Sequence, residues 1–247
     1  FTGNTSTTIS ANVTTTGTQT YLGTTVIGAT AILTGDVVNA SALTLNNNLT
    51  ISVVSNSLIS GNIGGGAFGL TKLGPGVLQL NGASTYTGTT AINAGTLRLG
   101  NSAALLSTGT ISMASGAAGA GILDLNGFNA QVANISASTP VNVITDFSAT
   151  PGTTTFSIIN NVNNQGVINA AILDGPNRAI AIRASNNLAN NQMFTQTAPN
   201  NFSGGLTLLH NASGGTRLRL QNTLLNVGSA GAIVASPLGR GPITIGQ

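Results

Sequence analysis

The chain has 247 residues, of which 4% are charged and 41% hydrophobic, and its formal net charge is +3. Soluble domains usually carry about 25% charged residues, and Glu, a favoured residue on exposed helices, is absent here. The seven cations are scattered, which argues against nucleic-acid binding. The lack of Cys excludes a disulfide framework and a thiolate metal site, and no apolar run reaches the roughly 18 residues of a transmembrane helix.

The first element that stands out is an internal repeat. Residues 20–35 (TYLGTTVIGATAILTG) and 85–100 (TYTGTTAINAGTLRLG) are identical at eight of sixteen positions. The alignment equates Tyr21 with Tyr86 and Gly23 with Gly88. Recurring short segments of this kind are typical of solenoids, in which each coil covers the apolar face of its neighbour.

Within these copies the chain alternates apolar and polar residues between turns. Leu78-Gln79-Leu80 and Leu97-Arg98-Leu99 have the period of two that predicts strands. Gly and Pro surround them, as in Gly74-Pro75-Gly76, and predict tight turns. We therefore expect an all-β fold, a parallel β-helix or β-solenoid formed by residues 1–247, with apolar columns inside and ladders of Thr and Asn outside.

A looser copy follows near the end of the chain. Phe202-Ser203-Gly204 matches Tyr86-Thr87-Gly88, and Leu218-Arg219-Leu220 matches Leu97-Arg98-Leu99. The clearest repeats are thus 20–35, 61–136 and 201–247. Residues 137–200 are rich in Asn and contain four Pro, which indicates irregular coils or an insertion, with a disordered linker as the alternative.

One repeat position is aromatic in all three copies, as Tyr21, Tyr86 and Phe202. An exposed aromatic row could bind sugar. A buried packing ladder at a corner of the solenoid is the interpretation that we favour, because like residues stack naturally between coils.

The segment from residue 70 to 97 resembles a known pattern. It reads LTKLGPGVLQLNG over 70–82, TYTGTT over 85–90 and AGTL over 94–97. This is similar to the autotransporter-associated β-strand repeat of bacterial secreted and surface proteins. The resemblance implies a right-handed parallel β-helix in an extracellular passenger, exported by a C-terminal outer-membrane translocator that we expect outside this chain. The repeat and structural positions are Tyr21, Gly23, Tyr86, Gly88, Gly95, Leu97, Leu99, Phe202, Gly204, Leu218 and Leu220.

Few residues could carry chemistry. Two of the four acids, Asp36, Asp124, Asp146 and Asp174, could form a glycosidase pair, but turn formation is the simpler interpretation of Asp36 and Asp174. His210 is the only His, and we interpret it as a surface or loop residue because no acidic neighbours offer a metal cluster. We predict no catalytic residue, cofactor or metal site, and hence a protein that is not an enzyme.

Three functions remain from the sequence. The first is a structural subunit that assembles end to end with copies of itself into a surface filament or sheath, because open solenoid ends invite another strand. The second is an adhesin passenger, a spacer or binding rod whose partner is a host surface or a polysaccharide. The third is a polysaccharide-cleaving β-helix enzyme.

Overall fold

The computed structural model describes residues 2–3, 6–114, 119–159, 167–186, 192–196, 200–210, 218–221, 227–229, 232–235 and 240–246. These residues form β-strands joined by turns and contain no helix, so none of them belongs to a membrane-spanning helix. The all-β class and the β-solenoid predicted from the sequence are confirmed. The chain divides into two compact units, Phe1–Leu123 and Asp124–Gln247.

The first unit is built from short strands. In chain order they are β1 (Thr2–Gly3), β2 (Thr7–Ile9), β3 (Val13–Thr14), β4 (Thr18–Ile27), β5 (Ala31–Gly35), β6 (Val37–Leu45), β7 (Leu49–Val53), β8 (Ser57–Ile59), β9 (Ile63–Gly65), β10 (Leu70–Leu73), β11 (Val77–Leu80), β12 (Thr90–Ile92), β13 (Gly95–Leu99) and β14 (Thr110–Met113). Strand β15 (Gly121–Asp124) includes the boundary between the units.

The strands of the first unit pair in parallel. One sheet has the order β1-β4-β6-β8-β11-β13, and the other has the order β3-β5-β7-β10-β12-β14. Successive strands of a sheet come from successive coils: Ala31 pairs with Leu49, Leu49 with Leu70, and Leu70 with Thr90. One coil of this unit therefore takes 18 to 21 residues.

The core of the first unit consists of columns, here meaning residues at the same position of successive coils. Leu49, Ile51 and Val53 of β7 are fully buried, while the residues between them are partly exposed. Leu78 lies on Leu97 in the next coil, and Leu80 lies on Leu99 in the same way. Alternation therefore places every second side chain in the core, and burying each such aliphatic side chain stabilises the fold by about 1.5–3 kcal/mol.

The second unit has a different set of strands. They are β16 (Ala130–Val132), β17 (Asn134–Ala137), β18 (Val143–Thr145), β19 (Gly152–Ile158), β20 (Val167–Ile168), β21 (Ala171–Ile172), β22 (Arg178–Asn186), β23 (Gln192–Gln196), β24 (Leu206–His210), β25 (Leu218–Gln221), β26 (Val227–Ser229), β27 (Ala232–Ala235) and β28 (Ile243–Gly246).

Coils of the second unit are longer. Phe156 pairs with Ile182, Ile182 with Leu206, and Leu206 with Ile243, so that a coil takes 24 to 37 residues. Strands β26 and β27 form an antiparallel pair within this parallel arrangement. The interval 137–200, expected to hold irregular coils or an insertion, contains β18 to β23 among its described residues. A single solenoid over 1–247 stays a prediction.

Candidate functional site

The region that resembles passenger repeats forms two successive coils of the first unit. Strands β10 and β11 belong to one coil, and β12 and β13 belong to the next. Leu70 pairs with Thr90, and Leu78 pairs with Leu97, so both sheets of the two coils are in register. These coils therefore hold five of the eleven predicted repeat positions, Tyr86, Gly88, Gly95, Leu97 and Leu99.

Two glycines of this region shape its turns. Gly74 and Gly95 have φ angles of +75° and +66°, a left-handed conformation that favours glycine. A Cβ on Gly95 would lie 2.3 Å from the Gly74 carbonyl oxygen and 2.8 Å from Lys72 Nζ. A Cβ on Gly88 would lie 2.3 Å from the Phe68 carbonyl oxygen. These glycines are required because the backbones of neighbouring coils pass too close for a side chain.

Lys72 lies inside the solenoid. Its residue is 0% exposed, and Nζ donates to the carbonyl oxygens of Leu73 (2.8 Å), Gly74 (2.8 Å) and Ala94 (3.2 Å). Burial lowers the pKa of Lys72 to about 8. Our sequence interpretation counted this residue among the scattered cations and as part of the LTK segment that resembles passenger repeats, without placing it in the core. Its parity with Leu70 in β10 was the signal that could have placed it inward.

Tyr86 fills the corner between β11 and β12. It is 2% exposed, and its hydroxyl oxygen lies 2.6 Å from Thr90 Oγ1. Burial raises the pKa of Tyr86 to about 12, against a smaller lowering by the Thr90 hydrogen bond. Tyr21 is also buried, and its hydroxyl donates to Gln19 Oε1 at 2.9 Å. Both tyrosines therefore act in packing and are not exposed to a sugar.

The two tyrosines nevertheless occupy different places in the coil. Tyr21 pairs with Ala40, Ala40 with Ile59, and Ile59 with Leu80, which precedes Tyr86 by six residues. The two side chains thus do not stack as the ladder that we expected. The gapless alignment shifts the sequence by 65 residues, from Tyr21 to Tyr86, whereas three coils advance it by only 59, from Tyr21 to Leu80, so the aligned residues are six positions apart in the coil. Gly23 lies beside Tyr21, where the pairing of β4 with β6 is irregular.

Four of the predicted repeat positions belong to the second unit, namely Phe202, Gly204, Leu218 and Leu220. Phe202 is 1% exposed, and its carbonyl oxygen accepts from Arg240 N at 2.8 Å. A Cβ on Gly204 would lie 2.6 Å from the Ile180 carbonyl oxygen. Leu218 and Leu220 belong to β25, which pairs with β23, and their side chains lie outside the described residues.

The sequence profile of the passenger-associated-transport-repeat matches residues 70–99. That stretch begins with β10 and ends with β13. The resemblance to autotransporter passenger repeats is confirmed. The matched residues thus fall on the part of the two coils that contains Lys72, Gly74, Tyr86 and Gly95.

A relative is the adhesin BmaC autotransporter of Brucella suis biovar 1 (strain 1330), which is 38% identical over 86 residues. The aligned residues are 34% of this chain and 2% of that protein. The chain therefore spans a very small part of the relative that it matches. No solved structure matches the chain.

The four aspartates lie outside residues 70–99 of the sequence and accept hydrogen bonds from backbone amides or hydroxyl groups. Asp124 and Asp146 are fully buried. Asp124 Oδ1 accepts from Phe147 N at 2.9 Å, and Asp146 accepts from the amides of Gly127 (3.0 Å) and Ser148 (2.9 Å). Their carboxylates therefore organise turns of the second unit. The turn interpretation of the other two acids agrees with their contacts: Asp36 accepts from Ser55 Oγ, and Asp174 accepts from Ser203 N.

Other potential ligands are dispersed. Among the described residues no three His, Cys, Asp or Glu side chains are placed to hold a metal ion. His210 ends strand β24, although we expected a surface or loop position, and its side chain lies outside the described residues. Residues 7–13 and Tyr21 line a cleft of about 310 Å³ in the first unit. No charged side chain is among those lining residues.

Proposed function

We propose that this chain is a segment of the extracellular passenger of an autotransporter adhesin, with a non-enzymatic role. The observation that carries the proposal is the coincidence of sequence and structure at residues 70–99. There the passenger-associated-transport-repeat covers strands β10 to β13, which are one full coil and the first two strands of the next, and its Gly and Lys residues occupy positions that those coils require. The 38% identity to an adhesin supports the same function.

The outer surface of the first unit suits a protein displayed in water without charge. One outward column consists of Thr50, Thr71, Ala91 and Ser112, which pair in register through four coils. Hydroxyl groups replace the charged residues that most soluble domains use. Small, rigidly spaced side chains of this kind would let many coils extend from a cell without folding back on each other, which is what a passenger needs.

The acids support a non-enzymatic role. A glycosidase needs two carboxyl groups that face a substrate groove about 5–10 Å apart. Asp124 and Asp146 are buried and accept from backbone amides, so their oxygens are committed to turns. Asp174 likewise accepts from Ile180 N and Ser203 N.

Surface labelling tests the proposed location. Antibodies raised against the purified chain should bind intact cells of the source organism, and external protease should remove the signal. A cytoplasmic protein probed in parallel gives the control for cell integrity. Labelling that needs permeabilised cells would contradict the proposal.

Adhesion is tested separately. A strain that lacks the gene should attach less well to host cells or to a polysaccharide-coated surface. Beads coated with the folded chain should bind the same surface, and this binding should be saturable. Beads that carry the chain with Gly95→Val serve as the matched control. Unchanged attachment of the deletion strain would remove the adhesin part of the proposal while leaving the location intact.

We propose end-to-end assembly as a second candidate. It is supported by the parallel pairing of the first unit, because hydrogen bonds then run along the stack and any coil could accept a further strand. The low charge of the chain also reduces repulsion between copies. Electron microscopy of concentrated protein decides: regular filaments would support assembly, and isolated particles would exclude it.

A further inference from the structure

Lys72 is a charged residue in an otherwise apolar column. Leu33 pairs with Ile51, Ile51 with Lys72, and Lys72 with Ile92. The exposed fraction is 1% for Leu33 and 0% for the other three residues. A lysine thus occupies a position at which each neighbouring coil has Ile.

The ammonium group has a complete set of acceptors. A lysine ammonium has three N–H donors and no acceptor. Here the three bonds go to Leu73 at the end of β10, to Gly74 in the turn that follows, and to Ala94 in the equivalent turn of the next coil. The group therefore joins two coils at a single point.

Stability alone does not explain this arrangement. Burial lowers the pKa of Lys72 to about 8, which means that the protein disfavours the charged form relative to water. Even a buried ion pair can often be replaced by apolar residues of similar volume with a neutral or stabilising effect. An apolar residue, as in the adjacent coils, would fill the column with no desolvation cost.

Register is the property that apolar columns specify poorly. Strands β10 and β12 have four and three residues. A slip of two residues keeps every side chain on its own face of the sheet, and the outward neighbours Thr71 and Ala91 are small enough to allow it. Such a slip would move the Ala94 carbonyl group by about 6–7 Å along the strand. It would leave a buried N–H of Lys72 without an acceptor, which is costly for a charged group.

We propose that Lys72 fixes the register of the coil formed by β12 and β13 on the coil formed by β10 and β11. The ammonium contributes specificity, because only the native register brings the Ala94 carbonyl group within reach of Nζ. A buried polar residue fixes the register of coiled coils by the same physical principle.

Engineered cysteine pairs can measure this register directly, because the chain has no Cys. Thr71 and Ala91 are register partners on the outer face, so Thr71→Cys with Ala91→Cys reports the native register. Thr71→Cys with Thr89→Cys, or with Asn93→Cys, reports slips of two residues in either direction. Only the pair brought into register has Cα atoms within the 4.4–6.8 Å that a disulfide needs.

The test compares these pairs under mild oxidation in the full chain with Lys72, with Lys72→Met and with Ile51→Met. The Ile51→Met control changes the same column one coil earlier and leaves the ammonium in place. With Lys72 or the control, the native pair should dominate. With Lys72→Met the chain should still fold, while the slipped pairs rise by about tenfold or more, because the native register no longer has its charged hydrogen bonds.

Two outcomes would overturn the proposal. Slipped pairs that stay at the level of the Ile51→Met control would show that apolar packing already sets the register. Failure of both Lys72→Met and Lys72→Leu to fold, with Ile51→Met folded, would show that the ammonium is needed for stability and does not act through specificity.

Discussion

The two units keep neighbouring coils together by different means. In the first unit, coils of 18 to 21 residues turn at glycines such as Gly74 and Gly95. In the second unit, coils of 24 to 37 residues are tied by Asp146 and Arg178. Arg178 donates from Nε to Thr154 Oγ1 at 2.8 Å and lies 3.7 Å from Asp146 Oδ2.

The difference shows what coil length demands of the sequence. A short coil leaves few backbone groups in its turns, so close backbone contact satisfies them and glycine is the limiting residue. A longer coil has more turn amides to satisfy, and charged side chains supply the acceptors and donors. Short coils of nearly constant length therefore depend mainly on glycine turns, with the buried Lys72 as an added charged contact, whereas longer coils need charged side chains in their turns.

The largest effect is expected from a glycine of the first unit. Gly95→Ala should destabilise the protein by about 4 kcal/mol. An alanine backbone is strained at the positive φ of residue 95, and its Cβ would collide with backbone oxygens. Urea-induced unfolding measures the loss. Gly17→Ala is the matched control, since no atom lies within 4 Å of its Cβ. Equal stability of the two variants would show that the turn adapts and that glycine does not limit the short coils.

The stability of the second unit should be most sensitive to substitution of Asp146. Asp146→Ala removes the acceptor of Gly127 N and Ser148 N and leaves Arg178 without its carboxylate. Loss of one partner of a buried ion pair costs about 3 kcal/mol. Amide hydrogen exchange should accelerate in the second unit. Asp36→Ala, which loses one exposed bond to Ser55, should cost under about 1 kcal/mol. If amide hydrogen exchange in Asp146→Ala accelerated equally in both units, this would contradict the view that the two units hold their coils together by different means.

The pH dependence of stability reports on the first unit, because Tyr21, Lys72 and Tyr86, whose pKa values are shifted by burial, all belong to it. The pKa of Lys72 is lowered to about 8, so between pH 8 and its unfolded value of 10.5 the unfolded chain binds more protons and stability rises with pH. Burial raises the pKa of Tyr86 from 10.0 to about 12, so from pH 10 to 12 the unfolded chain loses its proton first and stability falls. Burial also raises the pKa of Tyr21, so this residue contributes to the same loss of stability at high pH.

The first unit should therefore be most stable near pH 9–10, with a gain over pH 7 on the order of 2–3 kcal/mol. Hydrogen exchange, corrected for its intrinsic pH dependence, measures this gain at the amides of β10 to β13. Lys72→Met should abolish the rise above pH 8 and preserve the fall above pH 10. A flat profile in the native protein would mean that Lys72 and Tyr86 titrate as they do in water.

Much of the first unit follows from the sequence, because alternation alone identifies inward residues such as Leu78, Leu80, Leu97 and Leu99. The inward Lys72 had the correct parity, but its residue type suggested a surface position. Its acceptors are carbonyl groups of two coils, which no local pattern reveals. The acceptor role of Asp146 was equally hidden, since it depends on the amide of Gly127 in another coil.

The smallest expected effect concerns the tyrosines that the sequence repeat equates. Tyr86→Phe removes the bond to Thr90 and leaves Thr90 Oγ1 buried, which should cost about 1–2 kcal/mol. Tyr21→Phe removes a donor to Gln19, whose amide nitrogen still donates to Thr34 O at 2.8 Å, and should cost about 1 kcal/mol or less. Thermal unfolding of each variant measures the difference. If the tyrosines occupied equivalent positions of the coil, the two losses would be equal. Losses of different size would agree with their separate places in the coil.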